Sequence, residues 1–323
     1  METNAKKKKM SSAAMQQLII TGVLVLVLIT LSLLSDRFLT ASNMITVIRR
    51  AALVMITGAG ATMLMSAGHM DLSTGSTLAF AGVLYAKLAS GGMGLLPSGV
   101  ICVALGILVG FVNGICVTKL KITHFIATMG TMYAVRGIAY IICDGISINS
   151  GLPRNFDQLG RGLIGGLVPY LIVVTVAILL VFIFIQRKTV LGKYSIAVGG
   201  NRTAAVLSGI NADRTALRLF MIVGALAAFC GVLMSSRLGA GDPNVANSFH
   251  FDVICAIVLG GASLSGGDGS IIGMATGALI IEFLNNGLNI MGVDSFWQDV
   301  VKGLVLVLAV ILTRTIQNRL KNQ

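Results

Sequence analysis

Apolar runs about as long as a bilayer is thick recur along this chain, separated by short polar breaks. In order they fall at 17–34, 44–66, 72–90, 96–118, 124–143, 167–185, 216–236, 252–264, 270–290 and 298–314. A helix needs roughly 20 consecutive apolar residues to cross the hydrocarbon core, and most of these runs approach that length. The pattern predicts an all-α polytopic membrane protein of about ten spans, with both ends on the same side. A transmembrane barrel would instead alternate apolar and polar positions over ~10-residue segments. The eighth run is short for a full crossing, and only a Gly-rich break parts the second from the third.

The polar breaks differ in charge. Residues 186–218 carry Arg187, Lys188, Lys193, Arg202, Arg214 and Arg218 against the single acid Asp213. A basic segment between apolar runs belongs on the positive, cytoplasmic side of a membrane. Lys6 to Lys9, Lys119, Lys121, Arg314, Arg319 and Lys321 fall on that side too, so fifteen of the 24 Lys and Arg lie there. The opposite side receives Arg37, Arg49, Arg50, Arg154, Arg161 and Arg237, with Arg49 and Arg50 running against the rule. The breaks at 35–43, 144–166 and 237–250 are mixed polar stretches and read as outer loops. The expected organisation is a cytoplasmic tail over 1–16, one membrane domain over 17–318 and a cytoplasmic tail over 319–323. Lys6 to Lys9 before an apolar run could open a signal peptide, but no A-x-A site follows, so an uncleaved first span is expected.

Composition sharpens the class and removes others. Of 323 residues 55% are hydrophobic and 11% charged, whereas soluble domains carry about 25% charged residues. The net charge of +12 does not point to nucleic acid, because the basic residues sit at span ends and in loops. The five cysteines lie in or beside apolar runs without a C-x-x-C pair and read as core residues, with neither metal site nor disulfide framework. The three histidines are scattered, and neither H-E-x-x-H nor a G-x-S-x-G elbow occurs, so no enzyme is expected and no cofactor.

Polar residues inside the apolar runs are the candidate chemistry. The break 68–76 sets Asp71 among Gly, Ser and Thr. Irregular backbone at membrane depth survives only where protein or a water-filled cavity satisfies it. Asp71 either caps the third helix through the N–H of Ser73 or Thr74, or touches a solute, and the two roles are compatible. Asn113, Arg136, Glu282, Asn285, Asn286, Asn289 and Lys302 are embedded as well. A polar solute needs such groups along its path, and helix–helix hydrogen bonding explains them equally. The candidate pathway residues are Asp71, Ser73, Asn113, Asn285 and Asn286. Glu282 is expected to pair with Arg136 or Lys302, or to be protonated. Residues 260–270 are rich in Gly and Ser but lack the Lys of a phosphate loop, and read as a re-entrant or close-packed hairpin. Gly106, Gly110 and the Phe-Val-Asn-Gly at 111–114 echo Gly273, Gly277 and the Phe-Leu-Asn-Asn-Gly at 283–287, a possible inverted repeat.

These residues carry a resemblance. Asp71-Leu72-Ser73-x-Gly75-Ser76, His124-Phe125-Ile126-Ala127-Thr128, Arg136-Gly137, Gly199-Gly200-Asn201, Leu207-Ser208-Gly209-Ile210, Val258-Leu259-Gly260-Gly261, Leu264-x-Gly266-Gly267 and the motif at 283–289 together resemble the permease subunit of bacterial ribose-type ABC sugar importers. The resemblance runs from about 43 to 310. It implies a ten-span subunit of the bacterial cytoplasmic (inner) membrane that pairs with a second copy of itself. It further implies a cytoplasmic ABC ATPase, a periplasmic or lipid-anchored sugar-binding protein, and a monosaccharide cargo, a pentose such as ribose. The coupling segment to the ATPase would be Gly199, Gly200, Asn201, Arg202, Thr203, Ala204 and Ala205, then Leu207, Ser208, Gly209 and Ile210. Thr203-Ala204-Ala205-x3-Gly209 has the spacing of the importers' E-A-A-x3-G loop, with Thr in place of Glu. The chain departs from the family at His69 (usually Gly), Thr74 (usually Val) and Glu282 (usually small or apolar). The competing reading is a stand-alone secondary transporter coupled to protons through Asp71 or Glu282.

Overall fold

The computed structural model describes residues 12–166, 168–294, 296–298, 300–305, 307, 308 and 311. Lys6 to Lys9, Arg314, Arg319, Lys321 and the expected tail 319–323 lie outside the described residues. The long apolar runs fold as helices α1 (Ser12–Leu34), α2 (Ala41–Ser66), α3 (Thr74–Ser90), α4 (Leu95–Thr118) and α5 (His124–Ile142). A short α6 (Gln158–Arg161) and the hairpin β1 (Leu163–Ile164) and β2 (Val168–Pro169) follow, a small departure from the all-α expectation. Next come α7 (Tyr170–Lys188), α8 (Val190–Gly200), α9 (Arg202–Leu207), α10 (Ala212–Leu238), α11 (Phe249–Leu259) and α12 (Ile271–Ile290). Among the described residues seven of these are long and apolar enough to cross a membrane: α1, α2, α4, α5, α7, α10 and α12. Helix α3, at 17 residues, is just shorter. The described positions within 296–311, where a tenth span is expected, are helical. The chain is therefore a multi-pass α-helical membrane protein.

Helix α10 is the pillar, packed against α2, α3 and α4 with Leu219, Phe220, Val223 and Leu233 wholly buried. Lipid supplies no hydrophobic drive between helices, so close backbone approach supplies dispersion instead. The seam of α4 and α10 shows this. A Cβ added at Gly106 would meet Gly224 O and Ala228 Cβ, and one at Gly110 would meet the main chain of Phe220 and Met221. Gly273 and Gly277 let α12 approach Gly260 and Ala256 in the same way, so both small-residue motifs of the echo are packing seams. Helices α1, α5 and α7 are largely exposed.

Two ends can be told apart by the 186–218 segment. The basic end gathers the breaks at 66–73, 119–123 and 260–270 around α8 and α9, and the opposite end holds 35–40, 144–169 and the end of α10. Gly160 N, for example, donates to Ser236 Oγ at the opposite end.

The 237–250 stretch, expected as an outer loop, is something else. Gly239 ends α10 in the left-handed region (φ 71°). Gly241 then packs on Gly82, Val83 and Ala86 of α3, and Ala246 O reaches Gly75 near the start of that helix. The segment therefore runs back along α3 for roughly 13 Å, at 1.5 Å per residue of the helix it follows. Helix α11 completes the passage. Its 11 residues cover only about half of a ~30 Å core, so the eighth crossing is part irregular, turn-rich chain and part helix. Pro243 lacks an N–H, and Asp242 Oδ1 accepts from Asn244 N at 2.9 Å, so the local sequence turns without a ladder.

Candidate functional site

The Asp71 motif is a buried knot. The Asp71 carboxylate accepts from Ser73 N at 2.8 Å and Ser73 Oγ at 2.6 Å, which fixes the turn into α3. Asn113, on α4, brings its amide to Ser73 Oγ at 2.9 Å and to both Asp71 oxygens at 3.3 and 3.4 Å. All three side chains are buried. The bond from Ser73 N is the one the sequence predicts. Around the knot, Asn113 Oδ1 and the hydroxyls of Thr74 and Thr77 are buried without a hydrogen-bond partner among the described residues, so a polar seam continues along the first turn of α3.

Asn285 and Asn286 lie elsewhere. Asn286 exchanges amide bonds with Asn43 at the start of α2, 2.9 Å one way and 2.8 Å the other. The pair ties α12 to α2 near the opposite end. The five candidate pathway residues thus form two groups rather than one file. Asn43 was not singled out by sequence; its signal is only a second Asn beside an apolar run.

The embedded charges pair differently from expectation. Arg136 does not meet Glu282: its Nη1 donates to Pro243 O and to Val245 O (2.8 Å), and Nη2 to Ala246 O (3.4 Å). One guanidinium so satisfies three carbonyls of the non-helical segment that runs back along α3, as irregular backbone at membrane depth requires. Lys302 pairs with Asp252 at 3.2 Å, both side chains being largely buried. Glu282 instead lies in the electrostatic reach of Arg50, Lys302 and Arg237, with Asp252 nearby. Arg49 Nη2 donates to Arg161 O, and Arg161 in turn to Arg237 O (2.7 Å) and Leu238 O (2.8 Å). Arg49 is therefore held at its own end of the bundle, and Arg50 lies within electrostatic reach of Glu282.

At the basic end three breaks meet. Gly267 N donates to Ser66 O at 2.8 Å, and a Cβ on Gly199 would overlap both groups. Gln186 spans the junction, donating to Gly269 O at 3.0 Å and accepting from Ile271 N at 3.3 Å. The expected coupling segment begins here. Gly199 and Gly200 end α8, and Asn201 breaks the helix in extended conformation and caps α9 by accepting from Ala204 N at 2.9 Å. Gly209, at φ 83°, closes α9, with Ile210 N donating to Ala205 O at 3.0 Å. Ala205 alone of α9 is buried, against Val198 and Ala212. Arg202, Thr203, Ala204, Leu207 and Ser208 are exposed, Leu207 by 84%. Asp213 accepts from Arg202 and Lys121, tying the knob to the α4–α5 turn. Behind it His69 packs edge to face on His124 (5.6 Å) and against Phe220 (5.9 Å). The expectation singled out Arg202 but missed Asp213 and Lys121 as its companions.

A glycine-seamed helical bundle, with a polar knot inside and an exposed apolar knob at its basic end, fits a membrane transport permease. Comparison with known proteins agrees. The family model for the permease component of the branched-chain amino acid transport system matches residues 43–310, and the chain belongs to that family. It is similar to the ribose import permease protein RbsC of Bacillus subtilis (strain 168), 39% identical over 91% of this chain and 91% of that protein. RbsC of Escherichia coli (strain K12) is 36% identical over 92% of this chain and 93% of its own length. The L-arabinose ABC transporter permease protein AraH of Azospirillum brasilense is 34% identical over 93% and 88%. No solved structure matches the chain. The protein is thus an ABC-importer permease of the ribose type, a transport subunit rather than an enzyme.

Proposed function

We propose that this permease carries a monosaccharide, an aldopentose such as ribose, into a bacterial cytoplasm by alternating access. The relatives named for ribose, L-arabinose and galactose support a monosaccharide, and the ABC names favour ATP-driven import over proton coupling. The observation that carries the mechanism is α9. A six-residue knob that exposes Leu207 and Val206 beyond the bundle fits a cleft in a water-soluble partner. That partner is an ABC ATPase, and the contact runs through Gly199 to Ala205 and Leu207 to Ile210. On this reading the basic end faces the cytoplasm, both termini lie there, and 17–318 act as one membrane domain of the inner membrane, paired with a second copy. A periplasmic or lipid-anchored binding protein delivers the sugar to the opposite end. Asp71, Ser73, Asn113, Asn285 and Asn286 are polar groups that the moving helices uncover along the path.

The test is reconstitution. The chain, its ATPase and its binding protein in proteoliposomes should take up labelled ribose only with ATP. Uptake by this chain alone, driven by a pH gradient, would overturn the proposal.

A further inference from the structure

Helix α5 carries a feature that neither the knot nor the coupling knob uses. Tyr133, Arg136 and Tyr140 stand at i, i+3 and i+7, so they share one stripe of the helix. Tyr133 is 70% exposed and sits at the middle of α5, which runs from 124 to 142. Half of a 19-residue span away from either end is the bilayer's mid-plane, not its interface. Arg136 is half-buried one turn further on, and Tyr140 is 36% exposed. The turn-rich chain beside them adds polar side chains to the same wall: Tyr140 donates to Asn244 Oδ1 at 2.9 Å, and Asn244 and Asn247 are exposed.

Arg136, Tyr140 and Asn244 have internal partners that hold the wall's shape, but the exposed mid-span phenol of Tyr133 and the exposed amide of Asn247 do not face hydrocarbon, where each polar group must find an internal partner. They face water or a polar solute. We propose that the wall formed by Tyr133, Arg136, Tyr140, Asn244 and Asn247 is where the sugar is handled in transit. This deepens the transport reading above and rests on it. The chemistry suits a neutral polyol. The Tyr133 ring offers a flat face to the C–H side of a sugar ring. Arg136 uses three of its five N–H groups on the carbonyls of 243–246 and keeps two for adjacent hydroxyls. Asn244 is exposed, its Oδ1 accepting from Tyr140 and its amide nitrogen donating to Asp242 Oδ1 at 3.1 Å, which leaves one N–H for a hydroxyl. The carboxylate beside the wall, Asp242, is bound by the N and Nδ2 of Asn244. The floor of this wall is Ala246 O on Gly75, one turn beyond Asp71 and Ser73, so the sealed knot lies directly past it on the way to the basic end. Arg136 acts at once as a contact and as the fastener that holds the wall's non-helical half in place.

The experiment uses the full complex of permease, ATPase and binding protein in proteoliposomes. Tyr133→Cys and Asn244→Cys are exposed to a membrane-impermeant maleimide, with the five native cysteines of the wild type as background. Labelling above that background is expected. None would show the wall covered by lipid or by a second copy, and would overturn the proposal. In the same vesicles Tyr133→Ala and Asn244→Ala should each lower ribose uptake about ten-fold, the worth of one lost contact. ATP hydrolysis stimulated by the loaded binding protein should stay near wild type. Arg136→Lys, which keeps the charge but not the fork, should lower uptake as well. Ile141→Ala, an exposed apolar neighbour outside the stripe, should leave uptake within two-fold of wild type. Uptake unchanged in Tyr133→Ala and Asn244→Ala, or a fall in hydrolysis that parallels the fall in uptake, would assign these residues no contact with the sugar. Wild-type vesicles that show no ATP-dependent uptake would sink the transport reading instead, whatever the labelling shows.

Discussion

Asp213 Oδ2 lies 2.8 Å from Lys121 Nζ, and this pair holds the α4–α5 turn to the start of α10. Arg202, the first residue of α9, binds the other oxygen of the same carboxylate. One acid therefore joins the exposed knob to two long helices.

All three side chains are at least a third exposed, so solvent screens the pairs and each stabilises by no more than about 1 kcal/mol. Their use is directional rather than energetic. Asp213→Lys should leave the unfolding temperature of the purified permease nearly unchanged and lower ATP-dependent uptake several-fold. Combining it with Lys121→Asp restores one of the two pairs and should recover part of the uptake. Uptake assays on the three proteins, beside a thermal melt, check this.

Gly110 makes a prediction about the bundle itself. Its Cα faces the main chain of Phe220 and Met221, with no space for a side chain. Gly110→Val forces α4 away from α10 along the seam, and overpacking of this kind costs about 1–3 kcal/mol or more. The purified variant should unfold at a clearly lower temperature. Gly137→Ala, on α5 where nothing lies within 4 Å of an added Cβ, should not.

The Asn43–Asn286 pair predicts non-additivity. Each amide donates to the other; removing Asn43 leaves the buried Asn286 amide without this partner, and removing Asn286 leaves Asn43 Oδ1 without its donor while its nitrogen keeps Phe38 O. Asn43→Ala and Asn286→Ala should each destabilise by about 1 kcal/mol. The double variant should fall short of their sum by about 0.6 kcal/mol, a typical coupling between membrane helices. Denaturant titration of the four proteins completes the cycle.

What could be read from the chain follows from what lipid demands. A bilayer forces long apolar runs into helices, so α2, α3, α4, α5, α7 and α12 begin and end within three residues of the expected bounds, and α1 ends where expected. The knot was half legible: Ser73 is two residues from Asp71 and binds it through local geometry, but Asn113 is a partner 42 residues away. The segment 239–248 was misread because Gly-Asp-Pro signals a turn wherever it stands. What keeps that turn inside the bundle is Arg136, 107 residues distant from Pro243. Charge pairing was only partly legible for the same reason, although Glu282 does lie in the electrostatic reach of Lys302. Glu282 and Lys302 are the embedded charges nearest each other in sequence, yet Lys302 meets Asp252, and only the packing of α11 decides it.

The knob supplies the last prediction, because α9 holds two apolar residues with opposite surroundings. Ala205 is buried against Val198 and Ala212, whereas Leu207, two residues on, is 84% exposed. If α9 is only a connection, Leu207 is a neutral surface position and its substitution changes stability by no more than ~0.5 kcal/mol with no other effect. If α9 enters a cleft of the ATPase, an acid at Leu207 brings a charge into a contact that cannot solvate it. Leu207→Asp should therefore leave the permease's unfolding temperature unchanged and weaken its association with the ATPase by ten-fold or more, about the effect of 1.4 kcal/mol. Ala205→Asp should do the reverse in order, lowering the unfolding temperature first, since its charge meets the interior of the bundle. Co-purification with the ATPase, read beside thermal melts of both variants, separates docking from folding at this helix.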